Sequence, residues 1–243
     1  MDGIAKPNVS LLAVYDALFA RWGPQGWWPA ETPFEMMLGA VLTQNVAWTN
    51  VEKALANLRE AGELNLPALA NLSDDRLSER IRPAGFYRQK TRYVRFMVDR
   101  LLDRFSGDLD RLFALETPAL RAELLSWTGI GPETADSILL YAAHRPVFVV
   151  DAYTRRVFSR LGHCAPDASY DELACLFRTA LPADVALFNE YHALIVRLAK
   201  THCKTRPDCR NCPLAIPGKN RAFRPKVAKS SSSRNCSGIR LVP

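Results

Sequence analysis

Two places in the sequence pair residue types with a spacing that can do chemistry. Asp151 ends the apolar run Val147-Phe148-Val149-Val150 and opens Ala152-Tyr153-Thr154-Arg155-Arg156. Aspartate at the start of a helix is among the best N-cap residues, and a capping carboxylate is held rigidly. A rigid carboxylate can also stabilise developing positive charge and align water. About twenty residues upstream stands Leu124-Leu125-Ser126-Trp127-Thr128-Gly129-Ile130-Gly131-Pro132-Glu133-Thr134-Ala135. Here an amphipathic helix reaches Trp127, two glycines flank one apolar residue, and a second helix opens at Pro132. Proline suits the first helical position because its missing N–H would have no partner there. Glycines permit backbone shapes that a Cβ obstructs, so amides can approach a phosphate. The plainer readings are an ordinary cap and an ordinary helix–helix turn, with Trp127 in the core.

The elements that must carry these residues read as helices. Apolar residues recur at three- and four-residue steps, as in Leu11, Leu12, Val14, Tyr15, Leu18 and Phe19, or Tyr191, Leu194, Ile195 and Leu198. Gly- and Pro-bearing segments separate them: 23–26, 32–33, 82–85, 129–132 and 165–167. The spacing predicts an all-α protein of about ten helices. Val147–Val150 could form a short strand, but no second alternating run offers it a partner. At 243 residues with 48% hydrophobic and 23% charged content, the chain can bury a sizeable core. The net charge of +7 concentrates in the tail. Cys209 to Pro243 carry eight Lys or Arg and no acid, leaving residues 1–208 at about −1. A basic surface on the body therefore cannot be argued from total charge. The sequence offers no apolar run of membrane length, and Met1–Pro7 lacks signal-peptide character, so a cytoplasmic protein with no membrane contact is expected. It contains no Gly-x-Ser-x-Gly elbow, no P-loop and no metalloprotease histidine spacing. No organic cofactor is implied.

The Gly-Ile-Gly turn followed by Val150-Asp151 resembles the helix-hairpin-helix (HhH-GPD) base-excision DNA glycosylase superfamily, endonuclease III being its type member. The resemblance spans roughly residues 10–215. Gly26-Trp27-Trp28-Pro29 before Leu42-Thr43-Gln44 looks like the branch containing 3-methyladenine DNA glycosylase III. The resemblance implies a two-lobed all-α fold with a central DNA-binding cleft. One lobe would be residues 31–140 and the other 1–30 with 141–218, followed by a basic, disordered tail at 219–243. It implies that Asp151 is catalytic and that Trp27, Trp28, Pro29 and Trp48 enclose an extruded base. Gln44 would fill the gap the base leaves, and Phe86 would wedge the duplex. Arg88 and Lys90 would reach phosphates, as would the hairpin residues Gly129, Ile130 and Gly131. The partner implied is double-stranded DNA with a flipped damaged base, bound by a monomer. Core packing is the plainer reading of the tryptophans, and solvated helix positions that of Arg88 and Lys90.

Two departures from the family pattern matter. Bifunctional members place a nucleophilic lysine where this chain has Glu133, and a carboxylate cannot form a Schiff base. Water-dependent excision is therefore expected, with Glu133 only favouring its helix dipole. Cys203-x5-Cys209-x2-Cys212 resembles the family's iron–sulfur loop, but Gly218 stands where the fourth cysteine belongs. Four readings follow. The loop holds a [4Fe–4S] cluster with Cys236 or another ligand, zinc with His202, or no metal as a remnant, or its cysteines simply pack. The cluster is the reading preferred.

Overall fold

The computed structural model describes residues 9–215. In chain order its helices are α1 (Leu11–Trp22), α2 (Pro33–Leu42), α3 (Trp48–Glu60), α4 (Leu66–Asn71), α5 (Asp74–Arg80) and α6 (Tyr87–Phe105). There follow α7 (Leu109–Phe113), α8 (Thr117–Leu125), α9 (Pro132–Ser137), α10 (Ala152–Leu161), α11 (Tyr170–Ala180) and α12 (Val185–Thr201). A 3₁₀ turn covers Arg82–Ala84, and a π-helical turn, Ile138–Ala142, continues α9. No strand forms among the described residues. Val147–Val150 runs unpaired into Asp151, its last three residues buried. The all-α expectation holds, and the helices beyond ten are pieces of one or two turns such as α4, α5 and α7. None of the described helices is long and apolar enough to cross a membrane.

The chain divides into two compact units. One runs from Trp28 to Pro146; the other joins the residues up to Trp27 to those from Val147 on. The first break places Trp27 and Trp28 in different units. The tail at 219–243 lies outside the described residues.

In the Trp28–Pro146 unit, α2 is the central element. It is apolar on every side, and Phe34 to Leu42 are all buried, as a helix enclosed by others must be. Thr32 caps it by accepting from the Glu35 amide. Glu35 is itself buried and meets Arg59 at 2.5 Å. The two hairpin helices are locked by an ion pair: Arg121 of α8 donates to both carboxylate oxygens of Asp136 on α9, at 2.7 and 3.1 Å. Trp127 is 2% exposed, as expected for a core residue, and its indole N–H donates to Glu123.

The other unit is built on α12, which packs against α10 and α1. Phe148, Phe158, Phe177 and Tyr191 form its aromatic core, with Phe148 and Phe177 stacked at 3.8 Å. The Tyr191 hydroxyl, deep in that core, donates to Leu11 O at 2.6 Å and so anchors the start of α1. The apolar run before Asp151 is thus one wall of this core, which fixes the carboxylate at its edge.

Candidate functional site

Asp151 is the N-cap of α10, in extended backbone. Its Oδ1 accepts from the Thr154 amide at 2.6 Å and from the Thr154 hydroxyl at 2.8 Å. Its Oδ2 faces His192 Nε2 of α12 at 3.6 Å, and both side chains are about nine-tenths buried, 10% and 9% exposed. Burial alone pushes the Asp151 carboxyl upward. The facing His192 imidazole and the two Thr154 donors outweigh it and hold the carboxyl below its ordinary value. The group is therefore an ionised carboxylate at neutral pH, rigid, and with one oxygen engaged by its own helix. His192 carries no signal of its own in the sequence, since its neighbours Tyr191, Ala193, Leu194 and Ile195 are all buried.

The hairpin turn forms as expected, but its three residues play different parts. Gly129 has φ +86°, and a Cβ there would collide with the Tyr93 ring. Gly131 caps α9 with φ −95° and open space around its Cβ position, and Pro132 takes the first helical turn. The Gly131 amide donates to no backbone carbonyl in a turn or cap among the described residues. Ile130 departs from the expectation of a DNA contact. It is 6% exposed, and its amide is spent on Trp127 O at 3.0 Å. It anchors the turn in the core. Gln44 braces the same turn, donating to Gly129 O at 2.8 Å and to Thr134 Oγ1 at 3.1 Å.

Phe86 sits in the left-handed region at φ 45°, directly after Gly85 at φ 63°. An L-residue pays about 1–2 kcal/mol for that backbone. At 66% it is also the most exposed large apolar side chain among the described residues. A strained backbone that presents an aromatic ring to water points to a function outside packing. Arg88, two residues on, is exposed as well.

Lys90 corrects another expectation. It is 2% exposed, and its ammonium donates to Leu42 O and Ala84 O at 2.8 Å each. Burial lowers its pKa to about 8. It cannot reach a phosphate from there. Instead it ties the end of α2, which leads to Gln44, to the turn that leads to Phe86.

Trp28 and Trp48 meet edge to face with ring centroids 5.2 Å apart, and Tyr141 of the π-helical turn lies 5.4 Å from Trp28. Gly39 lets them settle on α2, since a Cβ there would stand 3.3 Å from Trp28 Nε1 and 3.5 Å from Trp48 Cη2. Both indoles are half-buried. Trp27 is half-buried in its own unit, and Pro29 is exposed. Tyr141 had no signal in the sequence: its place follows from the π-helical turn.

The profile of the HhH-GPD superfamily of base excision DNA repair proteins matches residues 38–183, from α2 through the hairpin and Asp151 to the end of α11. The chain belongs to that superfamily. A Methanocaldococcus jannaschii protein provisionally named a DNA repair glycosylase is 46% identical over 203 residues, 83% of this chain and 92% of its own. The crystal structure of H. pylori 3-methyladenine DNA glycosylase bound to 1,N6-ethenoadenine superimposes with a TM-score of 0.67 at 31% identity, covering 79% of this chain and 98% of that one. A trapped endonuclease III–DNA covalent intermediate gives 0.71 at 26% identity, covering 82% and 90%.

Within this family fold the cysteine loop is secured by protein contacts. Arg160 of α10 donates to Cys203 Sγ at 3.2 Å, to Cys203 O at 3.3 Å and to Lys204 O at 2.6 Å, and Arg156 donates to Cys203 O at 2.8 Å. Burial, with Cys209 and Cys203 nearby, pushes the Cys212 thiol up. Among the described residues no group of three or more His, Cys, Asp or Glu is gathered to hold a metal ion. Cys236, the expected fourth cysteine, lies outside them.

Proposed function

We propose that this chain is a DNA N-glycosylase that excises alkylated purines of the 3-methyladenine type from duplex DNA, using water and leaving an abasic site. The observation that carries the proposal is the Asp151 carboxylate: nine-tenths buried, held by two Thr154 donors, and facing His192 Nε2 at 3.6 Å. As the N-glycosidic bond breaks, its electron pair leaves with the base and positive charge builds on the sugar. A fixed carboxylate stabilises that charge and orients the water that adds to the sugar carbon. The water's proton passes to solvent or to the departing base. An alkylated purine carries positive charge already, so it leaves readily and is attracted to indole faces such as those of Trp28 and Trp48.

Glu133 supports the use of water. It is exposed in the first turn of α9, and, if it stands where the resemblance puts the lysine of bifunctional members, it offers no amine for a Schiff base. The Gly131 amide is the part assigned to a phosphate, and the exposed Phe86 the part assigned to wedging the duplex. The described cysteines gather no metal site. Iron and zinc analysis of the purified full chain, with its thiolate-to-iron absorption, decides between a cluster completed by Cys236, a zinc site with His202, and a metal-free loop.

The proposal is tested by a release assay over duplexes carrying alkylated, oxidised and mismatched bases. Release of methylated purines, without a borohydride-trapped covalent complex, is the expected result. Release of oxidised pyrimidines alone would instead favour an endonuclease III-like activity, a reading supported by the 31% identity to Sulfolobus acidocaldarius endonuclease III over 181 residues. Release from none would leave a helix-hairpin-helix module that only binds DNA.

Phe86→Ala separates wedge from scaffold. The ring is 66% exposed, so the variant should melt within a degree or two of the parent. If the ring stacks into the duplex, affinity for lesion DNA and excision should each fall about tenfold, as expected for one lost stacking contact. Unchanged affinity, measured by fluorescence anisotropy, would remove Phe86 from the DNA interface.

A further inference from the structure

We infer that His192 is the positioning residue of the reaction: from α12 its imidazole faces the second oxygen of Asp151 at 3.6 Å and orients it. The inference rests on Asp151 being the catalytic carboxylate, and goes beyond it by assigning a role to a residue on another helix. The two oxygens of Asp151 are held in different ways. Oδ1 takes both Thr154 donors, which belong to the same helix turn and would be present in any capping aspartate. Oδ2 needs no partner for capping, yet faces His192 Nε2 at 3.6 Å in a nine-tenths buried setting.

His192 is the titratable group that faces Asp151. On α10, Arg156 serves the carbonyls of Ala199 and Cys203, and Arg155 acts on Cys164. On α12, Glu190 accepts from the Gln25 amide, and Arg197 lies over Trp22. The segment leading into Asp151, Phe148 to Val150, is apolar and buried. Burial penalises a carboxylate and favours its protonated form. The facing His192 imidazole opposes that effect, and Thr154 adds hydrogen bonds.

Without His192, burial dominates and the Asp151 carboxyl takes up its proton at higher pH, where it can no longer stabilise a cationic sugar. The test is a ¹³C NMR titration of aspartate-labelled protein, with Asp151→Asn assigning the signal, run beside single-turnover excision against pH. In the parent, Asp151 should titrate below the ordinary aspartate range. In His192→Phe the midpoint should move above it, and the acid limb of excision should move upward with it. Each pH unit of movement means about a tenfold lower rate on that limb. His192→Gln, a neutral donor of similar reach, should fall between the two. It is the variant to read if circular dichroism shows that His192→Phe fails to fold. An unchanged Asp151 midpoint, or a rate reduced by the same factor at every pH, overturns the inference and leaves His192 a packing residue. If the parent releases no base from any duplex, the proposed function fails, while the titration still reports on the pair.

Discussion

Asp151→Asn is expected to abolish most excision, by about 10²–10⁴-fold, while the fold and DNA binding survive. The substitution is informative because asparagine is as good an N-cap as aspartate. Its carbonyl oxygen can still accept from the Thr154 amide, so α10 keeps its first turn. What disappears is the charge, together with the oxygen that faces His192. A structural role alone predicts little change; charge stabilisation predicts a large loss. Excision should be followed under single-turnover conditions and binding with an abasic-site duplex. A variant retaining more than a tenth of parental excision would remove Asp151 from the reaction. The same carboxylate has a signature in stability. Its folded value lies below the unfolded one, so its contribution is present above the ordinary aspartate range and is lost as pH falls through the depressed value. Acid unfolding of Asp151→Asn should lack that contribution, which circular dichroism against pH can read.

The residues legible in the sequence were those whose role is local. Asp151 announces itself because a cap needs a short acceptor at a helix start, and the buried run before it marks the core edge. Gly129 and Pro132 are legible for the same reason: a positive φ and a first helical turn select residue types directly. Roles set by tertiary packing left no such mark. His192 lies forty-one residues after Asp151, in a stretch that reads as buried helix, and faces it only because α10 packs on α12. Lys90 looks like a phosphate ligand because lysine is rarely buried. Its carbonyl partners, on Leu42 and Ala84, become visible only once α6 packs beside α2. Ile130 shows the converse: its apolar nature was plain, but whether it met DNA or the core depended on the facing helices. Trp27 and Trp28 are adjacent in sequence yet belong to different compact units, so a shared role could not be read from adjacency.

The two hairpin glycines should respond in opposite ways to alanine. Gly129→Ala is expected to lower stability by about 2–4 kcal/mol. About 1–2 kcal/mol comes from forcing an L-residue to positive φ, and the rest from overpacking. The overpacking is specific. A Cβ at position 129 falls well inside van der Waals contact of Tyr93 Cγ, Cδ1 and Cδ2, the root of the ring, so no rotation of a flexible end relieves it. For a chain of this size the melting temperature should drop by about 10 °C. Tyr93→Ala in the same molecule should recover the clash part alone, giving a double-mutant cycle that is not additive. Additivity would show that the ring is not what excludes a side chain at 129. Gly131→Ala should do the reverse. Position 131 has ordinary φ and nothing within 4 Å of its Cβ site, so stability should hold to within about 0.5 kcal/mol. If the Gly131 amide receives a phosphate, that open space is where the backbone of DNA comes close, and the added methyl should weaken duplex binding severalfold. Gly131→Ala with parental affinity would place the phosphate contact elsewhere on the hairpin. The pair thus separates the glycine that shapes the turn from the one that leaves room for a ligand.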